Sequence, residues 1–378
     1  MAAASLTGAR MIVAEPQLLD TPSLVVDEAL LRRNIAAMQA LAREAGVNLR
    51  PHMKTHKTPE IARLQIEAGA VGITCAKVGE AEVMVDEGGV EDVLLAYPTI
   101  GEPKIRRLLA LMERAKITVA LDSREAAAAL SDAMVGAACG LDIYVEVNTG
   151  QNRAGAIAGD EAIALALDLA RLPGLRLTGI MTHEGQANTA PPETIEAIAL
   201  DAGQTLVATA ERIRAHGIAL DHVSVGSTPA SRYTPGVAGI TEMRPGTYVF
   251  NDTTAFRYGH NGPDACAARF VVTVISRPAP DRAVIDAGSK TLALDKSHGH
   301  PGHGYIVGHP AAEIVRLSEE HGVVNLQPED QAAFQVGDTF EVIPNHVCPA
   351  LNLMDELLIV RDGQIVDTWR IAARGKVR

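Results

Sequence analysis

The sequence predicts a (β/α)8 barrel of the TIM type followed by a smaller β-rich domain. Between Ser23 and about Phe250, short β-branched runs alternate regularly with helical patterns, the signature of βα units around a parallel sheet. A doubly wound sheet gives the same alternation, but no GxGxxG follows the first strand, which weakens the dinucleotide-binding version of it. After Arg257 the long helical patterns stop and β-type runs remain.

Taken in order, strands are expected over 24–26, 47–49, 71–74, 92–95, 117–121, 141–147, 176–181 and 222–225, where β-branched and aliphatic residues cluster. Helices are expected over 28–45, 59–68, 80–87, 103–114, 123–134, 160–170 and 192–216, where apolar residues recur with helical spacing. The later β-runs are 267–276, 282–287, 339–343, 356–361 and 364–369, and Asp362-Gly363 between the last two is a hairpin signal. Pro278, Pro280 and the glycines from Gly299 to Gly308 mark loops.

Composition bounds the function. At 378 residues, 47% of them hydrophobic, with a net charge of -12, the chain suits two domains of about 150 residues or a barrel with an appendage. We place the barrel at 20–250 and the β-rich domain at 251–378, with residues 1–19 packing on the latter. No apolar run approaches the roughly 20 residues of a membrane span, and an acidic chain is a poor partner for nucleic acid. The start carries no apolar stretch of a secretory signal, and Cys75, Cys139, Cys266 and Cys348 form no CxxC pair, so a reducing, cytoplasmic compartment is expected. Aromatics make up 3%, so the core should be built from Ala, Val, Leu and Ile.

Catalytic groups of a barrel sit where strands end on its C-terminal face. There the second expected strand delivers Lys54 into a turn before a helix, within Arg50-Pro51-His52-Met53-Lys54-Thr55-His56-Lys57. Neighbouring cations or burial depress a lysine pKa and leave a neutral amine able to form a Schiff base. Read alone, the same octapeptide is a solvated basic loop. Asn148 to Gly155, Met181 to Gly185 and Val225 to Pro229 follow the sixth, seventh and eighth expected strands, the last at a place where barrels bind phosphate through backbone N–H groups. Their convergence on one rim carries more weight than any one motif.

His346 and Cys348 stand two apart on an expected extended segment, so their side chains should point the same way. Read alone, such a pair is more often structural; as ligands, two protein groups leave positions open for water or substrate, as a catalytic metal requires, and a thiolate with an imidazole favours zinc over magnesium. Asp355 and Glu356 are either outer partners of that pair or exposed. His298, His300, His303 and His309 lie among glycines and prolines, which fits a loop bordering the site entrance better than a second metal site.

These stretches resemble the D-threonine aldolase and D-serine dehydratase family of fold type III, alanine racemase-like pyridoxal phosphate enzymes. The resemblance covers nearly the whole chain. It rests on Asp20 to Leu24, Arg50 to Lys57, Gly150 to Gly155, Thr182 to Gly185, Val225 to Pro229, Arg244 to Asp252, Glu320 to Gly322 and His346 to Cys348. It implies a barrel of the alanine racemase N-terminal type in which Lys54 carries pyridoxal 5'-phosphate. It further implies Arg153 near the phenolic oxygen or ring, His183 beside the ring, and Gly226, Ser227, Thr228, Gly246 and Tyr248 at the phosphate. For Tyr248 the alternative is a core aromatic. His346 and Cys348 match the family's divalent metal pair, for zinc or manganese, with magnesium a third choice. Glu184 departs from the family pattern and is read as a catalytic base or as tuning His183, against a loop carboxylate in solvent.

The implied activity is that of a lyase on a small D-3-hydroxy amino acid, in a homodimer. His56 to Ile61, Pro349 to Glu356 and Trp369 to Gly375 are similar to D-threonine aldolases, whereas Cys348, Gly226-Ser227-Thr228 and His183-Glu184 are more similar to the dehydratases. The longer agreement favours retro-aldol cleavage to glycine and an aldehyde. Dehydration of D-serine or D-threo-3-hydroxyaspartate is the alternative, and amino-acid racemization a more distant one.

Overall fold

In a computed structural model of the chain, residues 10–257, 261–297 and 300–378 are described. They fall into two compact units: one comprises Ala37–Lys54, Pro59–Gly246 and Lys376–Arg378, the other the residues up to Ala36, Thr55–Thr58 and Thr247–Gly375.

Strand β1 (Ser23–Asp27) belongs to the second of these units, and the barrel unit begins at β2 (Asn48–Leu49). It continues through β3 (Ile73–Cys75), β4 (Asp92–Leu95), β5 (Lys116–Leu121), β6 (Leu141–Asn148), the side branch β7 (Ala156–Ile157), β8 (Leu175–Met181), β9 (His222–Val225) and β10 (Glu242–Met243). The strands pair in parallel in the order β2-β10-β9-β8-β6-β5-β4-β3. A bridge between His52 and Thr74 joins the two ends of that order, supported by Met53 N–H donating to Thr74 O at 2.9 Å and Thr74 N–H to Pro51 O at 2.8 Å.

Helices α1 (Glu28–Glu44), α2 (Pro59–Glu67), α3 (Val78–Asp86), α4 (Glu102–Met112), α5 (Arg124–Gly136), α6 (Asp160–Leu169) and α7 (Ile195–Ala215) connect the strands, close to the expected spans. In α7 the buried Ile195, Ala199, Ala202, Leu206, Ala210 and Ile213 recur three or four residues apart, which makes one apolar stripe. Burying each of its large members contributes about 1.5–3 kcal/mol. Gly203 lies on the same stripe, where a Cβ would come within 3.0 Å of Val237.

Two expectations need correction. Residues 24–26 are not the first barrel strand: β1 pairs antiparallel with β11 (Ala268–Ala279). Its run of buried aliphatics reads like a barrel strand because any strand covered on both faces looks alike in sequence. The barrel's last strand is instead β10, whose two residues include the charged Glu242 and leave no apolar run to read. Every rim motif therefore follows the strand one place earlier in the barrel, and Lys54 follows the first.

The barrel interior also departs from an all-aliphatic core. Arg50 is bound through Nε to Glu242 at 2.7 Å and through Nη1 to Asp92 at 2.5 Å. Glu242 accepts from Ser224 Oγ at 2.6 Å, and the buried Arg244 donates to Ser224 Oγ and to Thr182 O. Aliphatic residues instead fill the layer between strands and helices, including Leu108, Leu111, Leu130 and Ile163.

The second unit continues with β12 (Arg282–Ile285), β13 (Tyr305–Ile306), β14 (Glu313–Leu317), β15 (Gly322–Asn325), β16 (Thr339–Ile343), β17 (Glu356–Arg361) and β18 (Gln364–Arg370). The order β12-β15-β14-β13-β16-β11 closes on itself because β12 also pairs with β11, and β1, β17 and β18 extend the sheet beyond β11. This is a closed antiparallel barrel with a three-strand wing. Asp362 and Gly363 have φ of 50° and 80°, the left-handed turn that suits Asp-Gly in a two-residue hairpin. The buried Glu341 binds Arg269 at 2.8 Å and accepts N–H groups of Ile12 and Val13. Residues 1–9 lie outside the described residues. Among the described residues no helix is long and apolar enough to cross a membrane.

Candidate active site

Pro51 interrupts the chain after β2, and the turn that follows presents Lys54, half-buried, before α2 begins at Pro59. Arg50 was expected among the cations around that lysine, but its guanidinium is neutralised by Glu242 and Asp92. His56 Nδ1 accepts Thr58 N–H at 3.1 Å within its own turn. The groups that sense Lys54 are His52 and His183. Burial first, then the charges of Lys54 and Arg244, hold His52 well below the usual histidine range. Burial, Lys54 and the more distant Arg153 and Arg244 push His183 down to about 3.

His183 and Glu184 follow β8 and both hold Gly226, the residue after β9. His183 Nδ1 bonds to Gly226 O; a carbonyl can only accept, so the proton sits on Nδ1 and Nε2 carries the lone pair. Gly226 N–H donates to Glu184 Oε2 at 3.0 Å. Glu184 is fully buried, which excludes a solvent-facing loop carboxylate. Burial raises its pKa. Its Oε1 has no hydrogen-bond partner, although the Thr234 hydroxyl lies near enough to favour the charged form.

The neutral state of His183 has a consequence for stability. The unfolded chain takes up this proton near 6.5 and the folded chain near 3, so between those values the unfolded state binds more protons and stability is lost as pH is lowered. The slope is at most about 1.4 kcal/mol per pH unit. Urea unfolding at stepped pH is expected to show His183→Asn losing less stability than the parent protein over that window.

The turn after β9 is a tight cradle. A Cβ on Gly226 would come within 2.9 Å of the Arg244 side chain. Gly226 N–H, expected to face a phosphate, is occupied by Glu184. Ser227 Oγ accepts Ala230 N–H at 3.3 Å and keeps its own proton to donate, and the buried Thr228 Oγ1 has no partner. An orphaned hydroxyl beside a donor hydroxyl fits a bound oxyanion. Gly246 closes the barrel unit, while Tyr248 is buried in the turn Thr247–Val249 of the other unit.

Arg153 stands in a loop held by Asn148 Oδ1, which accepts the N–H of Gly150 and Asn152 at 3.0 and 3.1 Å. The Arg153 side chain is 54% exposed, and its Nη2 lies 3.9 Å from the buried Glu146, so it is only loosely held.

In the second unit, His346 and Cys348 do not lie on an extended segment. Pro344 follows the end of β16, and a short helix, Val347–Leu351, starts with His346 at its N-cap. The two side chains nevertheless meet. Burial works against the charged imidazole, but Cys348, Asp252 and Asp295 outweigh it and raise His346 to about 10. His346 Nδ1 bonds to Asp295 Oδ1 at 3.0 Å and Cys348 Sγ to Thr55 Oγ1 at 3.2 Å. The buried Asn345 donates to Asp295 O and Gly302 O and accepts from Thr253 Oγ1, and Val347 N–H donates to Asp252. Asp295 was missed because it lies 51 residues away in sequence. Asp355 is exposed and pairs with Arg374.

Among the described residues no group of three His, Cys, Asp or Glu could hold a metal. A cation on the soft His346–Cys348 pair would therefore take its other ligands from water or substrate, which fits an open site. His300 bonds to Gly304 O and His309 to Asp330, and His298 lies outside the described residues.

Comparison with known proteins finds relatives along nearly the whole chain. The family model "Alanine racemase, N-terminal domain" matches residues 26–254, and a serine dehydratase domain model matches residues 267–360. The chain is 38% identical to a D-threonine aldolase of Arthrobacter sp., over 94% of this chain and 93% of the relative. It is 32% identical to the D-threo-3-hydroxyaspartate dehydratase of Delftia sp., over 87% of this chain and 91% of that one. The crystal structure of D-threonine aldolase from Filomicrobium marinum superposes with a TM-score of 0.88 at 33% identity, covering 95% of this chain and 97% of the other. With its Lys54 rim, its closed antiparallel second unit and relatives alike over nearly their full length, the chain belongs to the D-threonine aldolase and D-serine dehydratase family of fold type III, alanine racemase-like pyridoxal phosphate enzymes.

Proposed function

We propose that this chain is a pyridoxal phosphate- and divalent metal-dependent lyase that cleaves D-threonine and related D-3-hydroxy amino acids to glycine and an aldehyde. The observation that carries the reading is the gathering of Lys54, His183 and the Gly226 turn at one rim, where burial and then the lysine charge depress both His52 and His183. The full-length similarity to an aldolase favours carbon–carbon cleavage over dehydration.

Lys54 supplies the amine that holds the cofactor covalently. Ser227 and Thr228 offer hydroxyl donors to its phosphate, and Arg153 is loose enough to swing toward the ring. When bound, the cofactor ring supplies an electron sink for the charge left on Cα as its bond to Cβ breaks. His183, neutral with Nε2 as acceptor, can take a proton from a hydroxyl in front of it. His346 and Cys348 would hold a divalent cation, zinc or manganese, which would supply Lewis acidity toward the substrate's hydroxyl.

Asp295 accepts the Nδ1 proton of His346 and so leaves Nε2 for the metal. Asp295→Asn is expected to weaken zinc affinity by about 10–100-fold, read by competition with a chromophoric chelator.

The function is tested by incubating the protein with D-threonine or D-serine, pyridoxal phosphate and zinc or manganese. Glycine with acetaldehyde from D-threonine supports the aldolase. 2-Oxobutanoate with ammonia, or pyruvate from D-serine, moves the assignment to a dehydratase. Racemized substrate alone overturns the lyase reading.

A further inference from the structure

We propose that Glu184 is a positioning residue that sets the affinity for the cofactor's phosphate by fixing the backbone on both sides of Gly226 together with His183, an inference that rests on the reading of that turn as the phosphate cradle. Consecutive residues hold the two peptide groups that flank the Gly226 Cα: His183 bonds to the carbonyl on its C-terminal side and Glu184 accepts the N–H on its N-terminal side at 3.0 Å. Gly226 can then turn in neither φ nor ψ without leaving a buried polar group unpaired. The turn it anchors carries Ser227 and the orphaned Thr228 hydroxyl, so their aim depends on this grip.

The environment of Glu184 suits that task and no direct chemical one. It is fully buried. An ionised carboxylate beneath a phosphate dianion would repel it; burial favours the neutral form, while Arg244 offsets part of that preference. A neutral carboxyl still accepts the Gly226 N–H through its carbonyl oxygen. The acceptor, rather than the charge, is what the turn requires.

The test titrates cofactor-free protein with pyridoxal phosphate and, separately, with pyridoxal, which lacks the phosphate, following the absorbance of the bound chromophore. Glu184→Ala is expected to weaken pyridoxal phosphate binding by roughly ten- to a hundred-fold, the effect of leaving a buried N–H unpaired, while pyridoxal binding stays as in the parent. Glu184→Gln, which keeps an acceptor of the same shape, is expected to bind both as the parent does. Should Glu184→Ala not fold, Glu184→Met, which fills the space without an acceptor, gives the same reading.

Equal loss for both ligands would mean a general structural role and would overturn the inference. So would unchanged phosphate affinity in the Ala or Met variant, or a Gln variant as weak as Ala. If the parent protein binds neither ligand, the cofactor reading itself fails, a result distinct from all of these.

Discussion

Lys54→Ala is expected to abolish turnover of D-threonine, lowering kcat by about 1,000-fold or more, because the variant loses both the covalent tether and an amine able to move a proton. The position of the lysine makes this specific. Its charge is felt by His52 and by His183, so the amine lies within the group that surrounds the proposed reaction centre. Lys54→Arg separates charge from chemistry: a guanidinium keeps the field on His183 but stays protonated and cannot condense with an aldehyde. Both variants should therefore be equally inactive and lack the absorbance of the lysine-bound cofactor. A Lys54→Arg protein with more than a few per cent of parent kcat would mean that this residue contributes only electrostatics.

Arg50→Leu is expected to destabilise the fold by about 3–5 kcal/mol, the usual result of removing one member of a buried ion network. Arg50 and Glu242 are 6% and 0% exposed, and Asp92 shares the same guanidinium. Without it, Glu242 loses its direct ion pair and keeps only the Ser224 hydroxyl and the field of Arg244. Burial alone would raise the Glu242 pKa, and Arg50, with Ser224, reverses this and holds it below the usual carboxylate range. In the parent, then, the Glu242 contribution is present above the unfolded-state pKa and fades as pH falls through the folded one. In the variant Glu242 prefers its proton, so the folded state binds more protons than the unfolded and stability declines as pH rises. The gap between parent and variant should widen from acid to neutral pH in urea unfolding. A gap below about 1 kcal/mol at neutral pH would mean that the network relaxes around the loss.

Much of this was legible in the sequence where local patterns suffice. The spans of α1 to α7, the hairpin at Asp362-Gly363 and the strands β16 to β18 follow from periodicity and turn chemistry. What escaped depends on partners distant along the chain. Strand β1 carries the pattern of a barrel strand but pairs with β11. β10 is two residues long, and β13 to β15 are short strands broken by glycine and polar residues. The charged barrel interior was hidden because Arg50, Asp92 and Glu242 each read as surface residues until the barrel brings them together.

The site shows the same division. Lys54, His183, Ser227 and Thr228 stand out by their place at strand ends. Glu184 was legible as unusual, yet its role was not, since its partner Gly226 lies 42 residues on. The His346–Cys348 pair was visible from spacing, although the segment turns helical after Pro344. Its partner Asp295 had no local signal beyond lying in a loop.

The most direct measurement is reduction of the pyridoxal phosphate-loaded protein with borohydride, followed by proteolysis and mass mapping of the pyridoxyl group. The expected result is one modified peptide, spanning Arg50 to Lys57, with the added mass on Lys54. A pyridoxyl group fixed on another lysine, or none retained after reduction, would contradict the assignment of Lys54 as the residue that carries the cofactor.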